Sequence, residues 1–102
     1  MTRKPSTHRV DLNHAAIVKG LREAGYSVQS LSSVGGGCPD ILVGADGMSN
    51  ILLEIKSEQG QLTKAQEAWL WAWKGQAAVV RSLDEALEIV QDGAGWGRRK
   101  GY

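Results

Sequence analysis

The sequence predicts a small α/β domain, in which a mixed sheet is flanked by helices in the order α-β-β-β-α-β-α. Three observations lead to this fold class. Short β-branched or leucine-rich runs alternate with stretches of helical periodicity. Turn and capping residues stand between these segments. The length of 102 residues allows one hydrophobic core but not two.

The first helix is predicted over residues 11–24. Asp11 would be its cap or a first-turn acid, and Gly25 would end it as a C-cap glycine. At about 100° per residue, one face of this helix carries a mostly apolar stripe. Its members are His14, Ile17, Leu21 and Ala24, with Val18 beside them.

Three strands are predicted next. The first covers residues 26–31. The other two, residues 41–43 and 51–53, flank a loop with Asp46-Gly47 and are typical of a β-hairpin. The glycines at 35–37 precede this hairpin, either as a flexible lead or as a point of close approach to a DNA strand.

The second helix is predicted to run from Thr63, its N-cap, to about residue 74 and to stop at Gly75. Gln66 completes the capping-box pattern with Thr63. One face carries Leu62, Ala65, Gln66, Trp69 and Trp73, so both of these tryptophans are predicted to lie in the core. Trp71 lies nearly opposite, where it would either contact a partner or be covered by the C-terminal segment.

The last two elements are a short buried strand over residues 77–81 and a helix over residues 83–90 that is capped by Ser82. The domain would therefore span residues 11–91. A basic, flexible arm would precede it at residues 1–10, and a glycine-rich basic tail would follow at residues 92–102. Such tails are either solvated chain ends or arms that contact DNA.

The hairpin would gather charged side chains at one end of the sheet. Side chains alternate along a strand, so Glu54 and Lys56 share one face. Folding the hairpin about its loop brings Asp40 opposite Leu53 or Glu54. Two carboxylates are ligands that Mg²⁺ prefers, and a lysine can stabilise developing negative charge. The alternative is an ordinary ion pair on a sheet surface.

Composition excludes several other sites. The formal net charge is +1, so no overall basic excess indicates nucleic acid. Cys38 is the single cysteine, which excludes an internal disulfide and a zinc knuckle. No apolar run is long enough for a membrane span or a signal sequence. A soluble, cytoplasmic protein is therefore expected.

The order of the charged residues resembles the PD-(D/E)xK nuclease signature: Pro39-Asp40, a strand, a turn, a second strand, and Glu54-Ile55-Lys56. The chain is most similar to small stand-alone virus-type replication–repair nuclease (VRR-NUC) domains of phages and prophages. GGGCPDILVG, LLEIKS, LTKAQEAWLWAW and NHAAIVKGLREAGYSV carry this resemblance, which covers residues 11–90. It implies a restriction-endonuclease-like core with the element order given above.

The resemblance also implies roles for individual residues. Asp40 and Glu54 would bind the metal, Mg²⁺ or Mn²⁺, and the backbone carbonyl of Ile55 would complete the protein's share of the ligands. Lys56 would position or help to activate the attacking water. Gln66 matches a helix glutamine that the family places beside the active site, where it could contact phosphate. The capping box is the alternative role for this glutamine.

His14 is where this chain departs from the family. Many members carry a glutamate on the first helix that contributes to the metal site, and His14 takes its place here, next to Asn13. The resemblance implies that His14 reaches the metal or its water shell, with Asp11 as the fallback. An imidazole suits Mn²⁺, or a water-mediated role, better than direct binding of Mg²⁺. A histidine that is satisfied within the core is the alternative.

The function implied is a metal-dependent endonuclease that cuts DNA, selectively for four-way (Holliday) junctions or other branched structures. A homodimer in the cytoplasm of a bacterial or phage-infected cell is expected. Two alternatives stay open. One is a DNA-binding module that kept the fold without catalysis, and the other is an interaction protein whose hairpin charges form surface ion pairs.

Overall fold

A computed structural model describes residues 5–92, with side chains from residue 12 onward. Within that part of the chain, three helices and four strands follow the predicted order α-β-β-β-α-β-α. They are α1 (Pro5–Glu23), β1 (Ser27–Ser30), β2 (Ile41–Gly44), β3 (Ile51–Ile55), α2 (Lys64–Ala72), β4 (Ala77–Val80) and α3 (Leu83–Asp92). The predicted fold class is confirmed. The predicted tail at residues 92–102 lies outside the described residues from position 93 onward.

The strands of the described chain form one mixed sheet in the order β1-β2-β3-β4. β2 pairs antiparallel with both β1 and β3, and β3 pairs parallel with β4. The parallel pair is connected by α2, as a crossover requires. Ile41 lies opposite Leu53 in the hairpin, so the register continues to Asp40 opposite Glu54.

Each face of the sheet has its own apolar cluster. The larger cluster joins the sheet to α1 and α3, where Ile17 and Leu21 of α1 are fully buried. The smaller cluster joins the other face to α2 and is built on Leu52, Leu70 and Ala77. Because side chains alternate, β3 directs Leu53 and Ile55 toward α1 and α3, and Leu52 and Glu54 toward α2. Glu54 is thus the polar residue within an otherwise apolar strand.

α1 covers Pro5–Glu23 and so includes residues before the predicted start at position 11; Pro5 is the first residue that the structure describes. Residues 5–10 of the predicted flexible arm therefore belong to the helix. Asp11 lies in the helix interior and is neither a cap nor a first-turn acid, which corrects that expectation. The fully buried Ile17 and Leu21 confirm the predicted core stripe.

The start of α2 is as predicted, whereas its end is not. Thr63 is the N-cap and forms the complete capping box with Gln66. The helix ends at Ala72, and Trp73 has an extended backbone with ψ of 129°. Trp73 is 40% exposed, so its predicted place in the core is wrong; Leu70 is the fully buried residue of this helix. Trp73 instead stacks on Trp69, with 4.7 Å between ring centroids.

The glycines at 35–37 all have positive φ, between 67° and 90°. L-residues avoid this region because the Cβ atom approaches the neighbouring carbonyl. Gly37 has a second constraint, since an added Cβ would overlap the carbonyl oxygen of Ala65 in α2, whereas Gly36 has open space around it. The loop before Asp40 is therefore packed against the start of α2.

This difference predicts unequal effects of alanine at the two positions. Gly36→Ala should lower the free energy of unfolding by about 1–2 kcal/mol, from the backbone conformation alone. Gly37→Ala should cost roughly 1–3 kcal/mol more, because the loop must also shift away from α2. Urea denaturation of both variants measures the difference. Equal losses would show that the contact with Ala65 does not constrain the loop.

None of the helices within residues 5–92 combines the length and the apolar character needed to cross a membrane.

Trp71 is 62% exposed, in agreement with its predicted outward position.

Candidate active site

Glu54 is the most buried charged residue among those described, with 2% of its surface exposed. It lies near the end of β3, paired in register with Val79 of β4. Leu52 precedes it on the same face of the sheet, toward α2. A carboxylate loses most of its hydration at such a position, so its neighbours decide whether it carries a charge.

Asp40 meets Glu54 at this end of the sheet. β2 begins at Ile41, so β3 extends beyond its last paired residue, Leu53. The N–H of Ile55 therefore lacks a carbonyl partner on β2, and Oδ2 of Asp40 accepts its hydrogen bond at 2.7 Å. This bond fixes the Asp40 carboxylate over the end of β3.

Burial and the neighbouring Asp40 make it costly to ionise Glu54. Burial, followed by the negative charge of Asp40, raises the pKa of Glu54 to about 8, and a hydrogen bond between the two carboxyl groups contributes in the same direction. Lys56 opposes the shift: its Nζ atom lies 3.7 Å from Oε2 of Glu54. The attraction to this single lysine is smaller than the combined effect of burial and Asp40.

Gln66 connects the site to α2 through two hydrogen bonds. Its Oε1 accepts a hydrogen bond from the backbone N–H of Thr63 at 2.9 Å, as the capping box requires. Its Nε2 donates to Oε2 of Glu54 at 3.1 Å. One side chain therefore caps the helix and contacts the carboxylate. Its orientation is determined by both partners, because the two ends of a carboxamide differ in hydrogen-bonding capacity.

A hard divalent cation fits this donor set. Asp40 and Glu54 present carboxylate oxygens side by side, and a dication would offset the repulsion that raises the pKa of Glu54. The chain between residues 12 and 92 contains no group of three or more His, Cys, Asp or Glu side chains placed to hold a metal. Mg²⁺ is commonly bound by one or two carboxylates, and water fills its other positions. The predicted carbonyl of Ile55 belongs to the last residue of β3, next to Glu54.

Among the described residues, His14 makes no hydrogen bond or ion pair with Asp40 or Glu54. It lines a cavity between α1 and the sheet, together with Val28, Ser30 and Ile41. Val28 and Ile41 pack into the cluster that faces α1 and α3. The side chain of Glu54 points to the opposite face, toward α2. His14 therefore lines a cavity on the α1 side of the sheet, and its predicted role at the metal or its water shell stays a prediction.

Two further residues hold the strand ends in place, and the sequence reasoning missed both. The guanidinium of Arg81 donates to the carbonyls of Ser57 at 2.8 Å and Gly60 at 2.6 Å, which fixes the loop after Lys56. The amide of Asn13 donates to the carbonyl of Lys56 at 2.9 Å. Arg81 follows β4 directly, so predicting the parallel pairing of β3 with β4 would have placed it beside Lys56.

Comparison of the chain with protein-family models, curated proteins and solved structures finds no match.

Proposed function

We propose that the protein is a divalent-metal-dependent nuclease that hydrolyses phosphodiester bonds in DNA. One observation carries the proposal: Glu54 is buried next to Asp40, with its pKa raised to about 8, at the edge of a strand whose other residues are apolar. Buried ionisable groups with strongly shifted pKa values are typical of functional sites, because burying such a group costs stability. The resemblance of these positions to the PD-(D/E)xK signature supports the same reading.

The proposed roles follow from the contacts. Asp40 and Glu54 would hold Mg²⁺ or Mn²⁺, which when bound supplies positive charge against the phosphate and lowers the pKa of water. Gln66 orients the Glu54 carboxylate through Nε2. The Lys56 side chain, only 17% exposed, remains beside that carboxylate, where its ammonium can donate to the attacking water or to a non-bridging phosphate oxygen.

Branched DNA is the substrate class that we favour. A domain of this size has little surface for reading a base sequence, whereas the shape of a four-way junction or a flap can be recognised from few contacts. A homodimer would bring two sites to one junction. Paired nicks across the junction would result.

Cleavage of a labelled DNA panel tests this proposal. The panel contains a single strand, a duplex, a flap and a four-way junction, each incubated with Mg²⁺, Mn²⁺ or EDTA. We expect metal-dependent cutting, fastest on the branched substrates and abolished by EDTA. The same preparations, run in light scattering, give the oligomeric state.

Two results would contradict it. Binding of DNA without cutting in either metal would favour the alternative, a non-catalytic DNA-binding module on the same fold. The absence of both cutting and binding at low salt would favour an interaction protein whose hairpin charges are structural.

A further inference from the structure

A cavity of about 450 Å³ opens on the α2 face of the sheet. Leu42 and Leu52 form its floor, and Trp69 and Trp73 form its aromatic wall. The indoles are nearly parallel, at 17°, and Trp73 remains 40% exposed. The cavity therefore offers an open indole surface next to an apolar floor.

The cavity lies beside the two carboxylates. Leu42 pairs with Leu52 in the hairpin register, and the pair lies two residues along the strands from Asp40 and Glu54, on the same face. Two residues of strand span about 7 Å. Cys38, two residues before Asp40 in the chain, lines the cavity as well. The cavity is therefore adjacent to the carboxylates.

The rim adds polar groups to this apolar surface. Asn50 is exposed at the edge of the cavity, and its carboxamide carries both donors and acceptors. Gln76 holds the Asn50 backbone by donating from Nε2 to its carbonyl at 2.9 Å. An aromatic face with a carboxamide at its edge matches a planar heterocycle, which stacks through its face and forms hydrogen bonds through its edge.

We propose that this cavity binds an unpaired nucleobase of the DNA strand whose phosphate lies at Asp40 and Glu54. The proposal rests on the proposed function for the position of that phosphate. Stacking on Trp73 is tolerant of base identity because every base has a π face. The cavity accordingly selects strands in which a base is free to leave the duplex, as at junctions and flaps, and gives a physical basis for structure-selective cutting.

Trp73→Leu is the test variant, and Trp71→Leu, in the last turn of α2 and outside the cavity, is its matched control. Binding is measured by fluorescence anisotropy with a labelled ten-nucleotide single strand in EDTA, so that no cutting is needed. A second strand carries abasic residues throughout. We expect Trp73→Leu to weaken binding of the normal strand by about tenfold and to leave the abasic strand unaffected. Trp71→Leu should bind both strands like the wild type, and Trp73→Phe should restore much of the loss.

The outcomes separate this site from catalysis. If the expected pattern appears but no substrate is cut, the base site stands and the hydrolytic function fails. If DNA is cut but Trp73→Leu matches Trp71→Leu, or weakens both strands equally, the base site is wrong and the nuclease remains. A change from dimer to monomer in Trp73→Leu, without an effect specific to bases, would identify the cavity as a subunit interface. That outcome also overturns the proposal.

Discussion

Glu54→Gln should reduce the rate of metal-dependent DNA cleavage by more than about a hundredfold. Removing a residue that only hydrogen-bonds to a metal ligand already lowers metal affinity or activity about 10- to 100-fold, and Glu54 is a proposed ligand itself. The carboxamide can still accept the hydrogen bond from Gln66, so the fold and the helix cap are retained. What is lost is the negative charge that a divalent cation requires. Initial rates on the best substrate of the panel, with DNA binding measured in parallel, give the comparison.

Two further variants test whether this loss is specific to the proposed site. Lys56→Ala should cost on the order of a hundredfold, which is the usual effect of removing one group that stabilises transition-state charge. His14→Ala is the control, because His14 lies at the α1 side of the sheet and should leave the rate within about twofold. Normal cutting by Glu54→Gln would show that the carboxylate pair is not the active site. Strong loss in His14→Ala would show that the imidazole does reach it.

The metal-free protein should become less stable as the pH rises from about 4.5 to about 8. The pKa of Glu54 in the folded protein is about 8, whereas that of an unperturbed glutamate is 4.5, so in this interval the folded state binds more protons than the unfolded state. The contribution of Glu54 to the free energy of unfolding is therefore highest below pH 4.5. It falls through the interval and is level above pH 8, after a total loss on the order of a few kcal/mol.

Urea denaturation of the wild type and Glu54→Gln in EDTA, at several pH values, isolates this contribution, because other titrating groups cancel in the difference. Glu54→Gln should be the more stable protein at pH 8.5, by an amount that shrinks toward pH 5. Adding Mg²⁺ at pH 8.5 should stabilise the wild type more than the variant, since ligands that bind only the folded state raise its stability. A difference between the two proteins that does not change with pH would contradict the raised pKa.

Local chemistry made much of the fold predictable. The capping box at Thr63, the cap at Ser82 and the alternation along β3 depend on residues close in sequence, and each is present. The sequence also placed Asp40 opposite Leu53 or Glu54, because a hairpin register is set by its own turn and apolar pattern. The observed register decides for Glu54.

The errors arose where tertiary contacts decide the outcome. Nothing local requires Trp73 to leave the helix; its place depends on how α2 meets the sheet. Whether His14 reaches the carboxylates stays a prediction, because the stripe it shares with Ile17 gives no information about which face of a sheet a helix covers. The role of Arg81 requires knowledge that β3 and β4 run parallel.

The double role of Gln66 affects how related chains should be interpreted. A chain that had lost catalysis would still need a capping residue three positions after its Thr63, so selection for folding alone would preserve the glutamine. The buried Glu54 has no comparable structural purpose, and an apolar residue there would relieve the repulsion from Asp40. Among homologues, replacement at position 54 would therefore mark the loss of activity, whereas persistence of glutamine at position 66 would be uninformative.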